Sequence, residues 1–501
     1  MGEARACGPV LIASNRGPVS FTRGDDGRLS ASRGGGGMVS GLSAVADELD
    51  MLWVCAALGE GDRAAARAAP DGMLDPGQAG DGAAVRMLDI PPSMFQRAYN
   101  AVANSTLWFV HHMLYDTPNQ PAFGPAFARE WAAFRSYNEM FADALANAAS
   151  ATADTAATAR PSHRRPARAV IQDYHLCLAP RMLADRAPGT PIAHFSHTPW
   201  APPDYYRMLP HEVGREVLAG ILGADHAGFL CRRWADAFID CCAEFLDAEV
   251  DSARSQVSYA DHVTSIGVHP LGVNADQLRA RAAERDVVSR MAALAEATAG
   301  RRLIVRVDRT ELSKNIVRGL EAYRELLRTR PQWHRRVVHV AFAYPSRHDL
   351  PEYREYTAAV QRMARQIEDE FAVPGWDPLL LEVNDDYPRS LAACRLADVM
   401  LVNPIRDGMN LVAKEGPVLS DRGCALVLST EAGAADELGE HALMVNPFDI
   451  GQTARALHEA LAMSSAERTR RNAALAAAAA AMPPSRWLGG QLAALDRPPV
   501  G

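Results

Sequence analysis

The chain has 501 residues, of which 48% are hydrophobic and 22% are charged, and its formal net charge is −8. This length exceeds that of one ordinary core and predicts a globular protein of two or three domains. The mild acidity excludes a protein that binds nucleic acid or anionic lipid through its overall charge.

The eight cysteines are scattered along the chain, with no Cys-x-x-Cys pair and no zinc-like Cys/His spacing. This distribution is typical of reduced, mostly buried thiols. The amino terminus passes from a short polar lead into an apolar strand-like run, without the pattern of a signal peptide. No stretch reaches the roughly 18 apolar residues that a membrane helix needs. We therefore expect a cytoplasmic protein with neither a membrane nor a nucleic-acid partner.

Short apolar runs rich in Val, Ile and Leu recur between helical patterns. The runs are continuous rather than alternating, which is typical of strands buried on both faces of a parallel sheet. The predicted fold class is therefore α/β, and the number of runs fits two sheets. They lie at residues 10–14, 53–58, 169–172, 192–196, 227–230, 303–307, 337–343, 379–383, 399–403, 425–429 and 442–445.

A division between two domains is predicted near Pro270, where a strand-like segment ends in Pro and Gly before a polar helix. The second sheet restarts at Leu303. Near the carboxyl terminus, an Ala-rich tract at 472–482 stops at two prolines, and a short apolar helix follows at 485–495. The predicted domains are residues 1–270 and 271–484.

Two segments near the amino terminus could bring backbone close to an anion. Residues 14–18, which include Arg16, end the first strand, and the glycines Gly34 to Gly37 precede a helical pattern. Glycines let a backbone approach a ligand closely, and a helix start offers unpaired N–H donors. Such loops are common, so these segments alone favour a flexible loop without a ligand.

Four side chains of the first half could serve a site or the core. Asp173 and His197 each follow a buried strand-like run, which is where ligands bind in doubly wound folds. Asp173 could instead cap the next helix, and a lone histidine is more often structural than catalytic. Tyr99 and Trp108 lie on one helix-like stretch and, taken alone, are interpreted as core aromatics.

Arg309 and Lys314 come directly after the first strand of the second half. Two cations at the carboxyl end of a strand suit a diphosphate, because Arg can bind two oxygens while Lys acts as a point charge. A solvated basic turn explains the same residues equally well when the segment stands alone.

The most informative segment is 406–415, which follows the strand-like run at 399–403. A strand, an Asp-Gly turn and a helix that opens at Asn410 would place backbone N–H groups around one anion-binding point. The carboxylates of Asp407 and Glu415 would lie beside that point, where a carboxylate can accept from sugar hydroxyls. An exposed helix with an Asp cap needs no ligand and is the alternative.

Together and in order, these segments resemble glycosyltransferase family 20, the trehalose-6-phosphate synthases. The resemblance runs along nearly the whole chain. It covers residues 14–18, the Gly-rich loop, 172–176, 197–200, 222–225, 307–309 with Lys314, 345–347, 406–415, 433–435 and 445–449. It implies the GT-B architecture, in which two Rossmann-like doubly wound domains face a cleft and the final helix returns to the first domain.

The resemblance also implies an activity. A family member is a retaining, metal-independent glucosyltransferase that moves glucose from a nucleoside diphosphate glucose to glucose 6-phosphate, giving trehalose 6-phosphate. No cofactor is implied, because the nucleotide sugar is a co-substrate. Domain 1–270, with the return helix 485–495, would bind the acceptor, and domain 271–484 would bind the donor. Whether the chain forms a homo-oligomer is left open.

For the donor, the resemblance assigns the diphosphate to Arg309 and Lys314, the hydroxyls of the transferred glucose to Asp407, and the ribose to Glu415. Further donor contacts are implied for the backbone of Asn410 and Leu411 and for the closing loop that contains Gly36 and Gly37.

For the acceptor, the resemblance implies that Arg16 and Arg347 hold the phosphate of glucose 6-phosphate. The aromatic residues implied around the same sugar phosphate are Tyr99, Trp108 and Tyr174. Asp173 and His197 would contact the reacting sugars. The expected catalytic set is therefore His197, Asp173, Arg309, Lys314 and Asp407.

The base of the nucleotide stays open between UDP-glucose and GDP-glucose. Pro417 lies just beyond the expected ribose carboxylate and departs from the usual family pattern, and residues 384–386 lie where the base is expected.

The alternatives are a pseudo-glycosyltransferase of the validoxylamine phosphate synthase type, a glucosylglycerol-phosphate synthase, and a catalytically silent homologue that binds sugar phosphate. The presence of Tyr99, Trp108 and segment 406–410 favours a sugar donor over the first. The presence of Arg309 and Lys314 argues against a silent protein. We expect no phosphatase domain, because the chain ends soon after the predicted return helix.

Overall fold

The computed structural model describes residues 8–24, 26–34, 37–43, 46, 49–75, 83–157, 166–347 and 349–496. Within these ranges, no helix is long and apolar enough to cross a membrane. The chain divides into two compact units, one formed by Met1–Pro270 with Pro484–Gly501 and the other by Leu271–Pro483. The assignment of acceptor binding to one unit and donor binding to the other stays a prediction.

The first unit carries eleven described strands. They are β1 (Val10–Ser14), β2 (Val19–Arg23), β3 (Leu29–Arg33), β4 (Met51–Ala56), β5 (Ala84–Leu88), β6 (Arg168–Gln172), β7 (Ile192–Ser196), β8 (His226–Phe229), β9 (Glu249–Asp251), β10 (Gln256–Tyr259) and β11 (His262–Val268). Nine of them form one sheet in the order β5-β4-β1-β6-β7-β8-β11-β10-β9, while β2 and β3 form a separate hairpin.

The order of the first six strands in that sheet is the doubly wound order, and it reverses between β1 and β6. These two strands pair in parallel, and every residue of both is buried. In doubly wound sheets, ligands bind outside the carboxyl ends of the strands at this reversal. The residues that follow β1 and β6 are therefore the ones to inspect in the first unit.

The helices of the first unit lie at Gly37–Ser43, Glu60–Ala68, Pro92–Phe95, Trp108–His112, Pro125–Ala157, Ala179–Arg186, Pro203–Tyr206, His211–Ile221, Arg232–Leu246 and Pro484–Leu495, with a π-helix at Gln96–Leu107 and 3-10 turns at Pro70–Gly72 and Tyr174–Leu176. The last helix packs its Trp487 edge-on against Phe195 of β7, with ring centroids 5.2 Å apart. It begins at Pro484, one residue before the predicted start.

The α/β class with parallel sheets is confirmed, and one edge of the first sheet adds antiparallel strands that the sequence did not predict. β10 pairs antiparallel with both β9 and β11, and only β11 continues the parallel set, on β8. Only two of the seven residues of β11 are buried, and β9 is largely exposed. These strands therefore lack the continuous apolar run that is typical of strands buried on both faces.

The second unit contains one six-stranded, wholly parallel sheet. Its strands are β12 (Arg302–Arg309), β13 (Val337–Tyr344), β14 (Leu379–Glu382), β15 (Val399–Val402), β16 (Ala425–Ser429) and β17 (Leu443–Val445). The order β14-β13-β12-β15-β16-β17 is again doubly wound and reverses between β12 and β15.

The helices of the second unit lie at Ala275–Ala282, Arg285–Thr298, Ile316–Thr329, Pro351–Phe371, Tyr387–Leu396, Val412–Leu419, Ala435–Leu438, Ile450–Ala462 and Ser465–Ala480, with 3-10 turns at Leu312–Lys314 and Pro331–Trp333. Helix Ile316–Thr329 shows how the sequence selects them. Its buried residues Ile316, Leu320, Tyr323 and Leu327 recur at three- and four-residue spacing, so one face packs into the core.

Candidate active site

The loops after β12 and β15 bring Lys314 and Asp407 together at the reversal point of the second sheet. The Nζ of Lys314 donates to Oδ2 of Asp407 at 2.5 Å. A backbone hydrogen bond from Ile405 N to Ser313 O, 2.9 Å long, fixes the two loops against each other. Lys314, Asp407 and Arg309, the last residue of β12, are thus placed at the sheet edge where a doubly wound fold binds its ligand.

The side chain of Lys314 is protonated and is held in place by Asp407. Burial by itself lowers the pKa of its ammonium group, but the nearby carboxylates of Asp407, Glu311 and Asp308 outweigh burial and raise that pKa above its ordinary value. The side chain keeps 16% exposure and that of Asp407 keeps 13%. An ammonium group has three N–H donors. Lys314 can therefore hold Asp407 and still donate to the oxygen of an anion.

Glu311 is a site residue that the sequence analysis missed. It is fully buried, and its Oε1 accepts from Ser346 Oγ at 3.0 Å and lies 3.1 Å from Nη1 of Arg309. Burial by itself raises the pKa of this carboxyl, but Arg309, Arg347 and Lys314 lower it to about 2. A carboxylate between two cations in the turn after a strand was the available signal.

Arg309 combines a fixed charge with access to solvent. Its side chain is 55% exposed although it pairs with a fully buried carboxylate. Glu311 therefore holds one side of the guanidinium, and the planar group can present its other N–H donors to a ligand.

Arg347 lies in the second unit, whereas the other four predicted acceptor residues belong to the first. Its Nη1 donates to the hydroxyl of Tyr353 at 2.7 Å, and its guanidinium carbon lies 5.6 Å from the centre of that ring. Its charge acts on Glu311 together with that of Arg309. Arg347 therefore lies in the second unit, where its charge acts on the same carboxylate as that of Arg309.

Asn410 does not open a helix as predicted, because its φ of 76° is left-handed and incompatible with a right-handed helix. The helix begins two residues later, at Val412. The Asn410 side chain donates to Asp407 Oδ2 at 3.1 Å and accepts from Ala413 N at 3.2 Å. Leu411 is half-buried and follows Asn410 in the chain, and its backbone O accepts from Glu415 N at 2.8 Å. Asn410 thereby joins Asp407 to the helix start.

The loop after β16 supports the Asp407 loop through a close backbone approach. Gly433 N donates to Asp407 O at 3.1 Å, and Ala434 N donates to Met409 O at 2.9 Å. A Cβ at position 433 would lie 1.9 Å from Gly408 O. Only glycine at position 433 allows the two loops to meet in this way.

Glu415, predicted to hold a ribose, is half-buried in helix Val412–Leu419. Burial raises the pKa of its carboxyl from 4.5 to about 7. The side chain is therefore divided between its neutral and ionised forms near neutral pH, and a ligand that donates hydroxyls to it would favour the ionised form.

Replacing Glu415 by Gln is expected to raise the melting temperature of the ligand-free protein by an amount that grows between about pH 5 and about pH 8.5. The folded pKa of about 7 exceeds the ordinary value of 4.5, so wild type loses stability as the pH rises through 7, and Gln cannot ionise. One pKa unit corresponds to about 1.4 kcal/mol. Partial exposure reduces the effect, so a gain of roughly 2–4 °C at the higher pH is expected.

Calorimetric melting curves across this pH range measure the effect. The matched control is Glu355→Gln, at an exposed glutamate of helix Pro351–Phe371. If Glu415→Gln raised the melting temperature by the same amount at every pH, the raised pKa of Glu415 would not be the cause.

In the first unit, Asp173 and His197 are joined at the carboxyl ends of β6 and β7. The backbone N of His197 donates to Asp173 Oδ1 at 3.1 Å, and His197 Nε2 lies 2.8 Å from Gln172 Oε1. Because an amide oxygen only accepts, Nε2 carries the proton. Burial lowers the pKa of His197, although Asp173 opposes this.

Asp173 is held ionised in a strained backbone. Burial by itself raises the pKa of its carboxyl, but the hydrogen bond with His175 and the charges of His197 and His175 lower it to about 2. Its φ of 75° and ψ of 167° belong to a region that residues other than glycine rarely adopt. Such strain is concentrated at functional sites, which supports a role beyond helix capping.

The predicted aromatic residues gather around Asp173. Tyr99, which lies in the π-helix Gln96–Leu107, stacks on His175 with ring centroids 5.5 Å apart. Trp108 lies 5.9 Å from the ring of Tyr174, whose hydroxyl donates to Asn104 Oδ1 at 2.8 Å. Trp108 and Tyr174 are buried, and Tyr99 is half-buried. These three side chains, which belong to the predicted acceptor set, therefore pack in the interior of the first unit close to Asp173.

Arg16 follows β1 and is exposed. β1 pairs with β6, and Asp173 directly follows the end of β6. Gly36 lies outside the described residues, and Gly37 begins helix Gly37–Ser43. Gly34 approaches the first loop so closely that a Cβ there would lie 2.3 Å from Gly17 O. The glycine-rich segment is therefore anchored at Gly34 against the loop that contains Arg16.

Across the described ranges, no group of three or more His, Cys, Asp or Glu side chains is arranged to hold a metal ion. The expectation of an enzyme without metal or cofactor stays a prediction.

Two doubly wound units with polar side chains at their reversal points are the features of the GT-B class of glycosyltransferases, and the solved structures similar to this chain share that fold. The chain matches the glycosyltransferase family 20 model over residues 9–497, and it belongs to that family.

Three relatives illustrate the range of the family. A bifunctional trehalose-6-phosphate synthase/phosphatase of Thermoproteus tenax is 35% identical over 74% of this chain and 48% of its own length, so this chain spans about half of that protein. A validamine 7-phosphate valienyltransferase of Streptomyces hygroscopicus is 29% identical over 96% of this chain and 93% of its own length. A solved structure from E. coli, named for trehalose-6-phosphate and bound with UDP-2-fluoro glucose, is 26% identical with a TM-score of 0.82, covering 98% of this chain and 99% of that one.

Proposed function

We propose that this enzyme is a retaining glucosyltransferase that moves glucose from UDP-glucose to glucose 6-phosphate and gives trehalose 6-phosphate. The observation that carries the proposal is the pair of Lys314 and Asp407, 2.5 Å apart, beside Arg309 at the reversal point of the second sheet. It combines cations for a diphosphate with a carboxylate for sugar hydroxyls. The UDP-2-fluoro glucose bound to the E. coli relative supports UDP-glucose as the donor.

On the donor side, Arg309 and Lys314 would bind the diphosphate, and Asp407 would accept hydroxyls of the glucose. Glu415 would accept from the ribose, and its raised pKa means that ribose binding draws it into the ionised form. Backbone groups of Asn410 and Leu411 would complete this part of the site, and Gly36 and Gly37 are proposed to add further donor contacts.

On the acceptor side, Arg16 and Arg347 would bind the phosphate of glucose 6-phosphate. Tyr99, Trp108 and Tyr174 would surround its sugar ring. His197 and Asp173 would contact the reacting sugars, Asp173 as a carboxylate.

In the proposed reaction, the acceptor hydroxyl attacks the anomeric carbon from the face that the diphosphate leaves. The bond from carbon to the departing phosphate oxygen breaks as the new glycosidic bond forms, and that phosphate oxygen takes the hydroxyl proton. Arg309 and Lys314 stabilise the charge on the departing diphosphate, while Asp407 and Asp173 orient the sugars. We propose that this occurs without a metal or a protein nucleophile.

A second candidate is the transfer of a cyclitol group to an aminocyclitol phosphate. The observation that favours it is the similarity to the Streptomyces valienyltransferase along almost the whole chain. Such an enzyme would share the phosphate-binding cations and differ in what the sugar-facing side chains accept. Tyr99, Trp108 and Asp407, which the chain keeps, support the sugar donor instead.

The deciding experiment incubates the purified chain with UDP-, GDP- or ADP-glucose and glucose 6-phosphate, and reads the product by mass. We expect a trehalose-phosphate mass with UDP-glucose. Digestion with an enzyme that hydrolyses only the α,α-linkage tests for retention. Failure with every donor would reject the proposal, and a product from valienyl nucleotide and validamine phosphate would favour the second candidate.

A further inference from the structure

A second basic cluster lies in the second unit at the amino-terminal edge of its sheet, the opposite edge from the candidate active site. Arg302 is the first residue of β12, Arg336 directly precedes β13, and Arg422 lies shortly before β16. These side chains line an open cavity of about 420 Å³, which we call the amino-edge cavity. Its charged lining consists of Arg301, Arg302, Arg336, Arg422, Arg468 and Asp398.

The charges that line the amino-edge cavity do not balance, because five arginines face a single carboxylate. Asp398 is almost fully buried and is shared by the Nη1 atoms of Arg302, Arg468 and Arg422, at 2.6, 3.3 and 3.6 Å. Its Oδ2 also accepts from Leu303 N at 3.0 Å. One carboxylate cannot neutralise three guanidinium groups.

Neighbouring carboxylates in the sequence are engaged elsewhere. Asp421 lies 2.9 Å from Nη2 of Arg395, and Glu467 pairs with Arg470 at 2.8 Å. Arg301 is bound to backbone, since its Nη2 donates to Gly375 O at 2.6 Å. These carboxylates therefore do not neutralise the cavity, and the donors left for a ligand belong mainly to the other arginines of its lining.

Arg468 indicates which kind of ligand the amino-edge cavity would bind. Its side chain is only 6% exposed, and among the residues described its Nε has no hydrogen-bond partner, while its Nη1 contacts Asp398 as an ion pair at 3.3 Å that is not a hydrogen bond. Burial lowers its pKa, and Arg302 and Arg422 lower it further against the opposing charge of Asp398. It lies in the first turn of helix Ser465–Ala480, where the helix dipole adds positive potential. A buried guanidinium that shares its one carboxylate with two other arginines is costly, so the charge of an anion in the cavity would stabilise this arrangement.

We infer that the amino-edge cavity binds a small phosphate-bearing anion through Arg468, Arg422 and Arg336. Guanidinium groups bind phosphate oxygens in pairs, and several converging on one cavity suit the double charge of a phosphate monoester. The volume is within the range of small-molecule sites and exceeds the needs of a lone ion. The ligand is therefore inorganic phosphate or a phosphorylated small molecule, bound away from the candidate active site.

Equilibrium dialysis of the full chain against radiolabelled inorganic phosphate, at fixed ionic strength, tests this inference. In the double variant Arg336→Gln/Arg422→Gln, the affinity of one class of phosphate sites should fall at least about tenfold, because two charge-assisted donors are lost. Both arginines are exposed, so folding should persist, and circular dichroism checks this. Displacement of the label by glucose 1-phosphate would indicate a phosphorylated sugar as ligand, and its failure would indicate free phosphate.

Two controls separate this site from other effects. Arg362→Gln/Arg365→Gln removes the same charge from exposed positions of helix Pro351–Phe371 and should leave phosphate binding unchanged. Arg309→Gln alters the candidate active site and should leave this class of sites intact, whether or not the proposed function holds. Wild-type phosphate binding by Arg336→Gln/Arg422→Gln, or an equal loss in the control pair, would overturn the inference.

Discussion

Replacing Arg309 by Ala is expected to lower kcat/KM by about 10³-fold or more while the chain stays folded. The guanidinium lies at the end of β12, is 55% exposed and is held on one side by Glu311. It is therefore placed to stabilise the negative charge that develops on a departing diphosphate. Because that charge is greatest in the transition state, kcat should fall more than KM rises. Steady-state kinetics with UDP-glucose and glucose 6-phosphate measure both.

A structural effect of Arg309→Ala must be separated from a catalytic one. Removing the guanidinium leaves the fully buried carboxylate of Glu311 without its nearest cation, which costs stability. The double variant Arg309→Ala/Glu311→Gln removes that uncompensated charge. We expect it to regain melting temperature but no activity.

The matched control for Arg309→Ala is Arg328→Ala. Arg328 is also an exposed arginine of the second unit that pairs with a glutamate, Glu370, at 2.5 Å. Its removal should leave kcat/KM near that of wild type. Near-normal turnover by Arg309→Ala would reject the donor assignment, and recovery of activity along with stability in Arg309→Ala/Glu311→Gln would assign Arg309 a structural role.

Several strands of the two parallel sheets were predictable because they are buried on both faces. The runs at 10–14, 192–196 and 425–429 coincide with β1, β7 and β16 residue for residue. Burial on both faces requires apolar side chains at every position, and that pattern is visible in sequence. The half-exposed β11 leaves no such pattern, and the antiparallel edge was missed for this reason.

The sequence predicted several residues of the candidate site from their place at strand ends. It did not predict the ion pairs and hydrogen bonds that connect them. Arg309, Lys314 and Asp407 were each indicated by their place after a strand, and the parallel topology brings their loops together. Glu311 was missed, although its place between two cations was a signal, because the sequence of a polar turn does not show whether its glutamate is exposed to solvent or buried beside three cations. Its burial depends on tertiary packing.

The backbone conformation of the site loops was a second feature that could not be predicted from the sequence. Asn410 follows an Asp-Gly turn and was predicted to open the helix, but its side chain holds Asp407 and its backbone is left-handed. Asn tolerates that conformation better than most residues. Arg347 was suggested only by resemblance, and its proximity to Glu311 and Arg309 could not be predicted from spacing.

Replacing Asp173 by Asn is expected to lower kcat by about 10²-fold with little change in KM. The carboxylate lies at the end of β6, accepts from the backbone N of His197 at 3.1 Å and is kept ionised, with a pKa of about 2. An ionised group beside the reacting sugars would stabilise the positive charge of an oxocarbenium-like state. Asn keeps the size and one acceptor oxygen but has no charge, so it should affect the transition state more than the bound substrate.

The stability of Asp173→Asn is a separate readout with a definite pH dependence. The pKa of Asp173 falls from 3.8 to about 2 on folding, so wild type gains stability above 3.8 and loses it as the pH falls through 2. Asn lacks this gain, and the variant should melt lower than wild type at neutral pH while the two converge in acid. The control is Asp143→Asn, at a largely exposed aspartate of the same unit that pairs with Arg186. A variant at position 173 with this stability change but full kcat would show that Asp173 serves the fold alone, whereas loss of kcat in a folded protein would place its charge in the reaction.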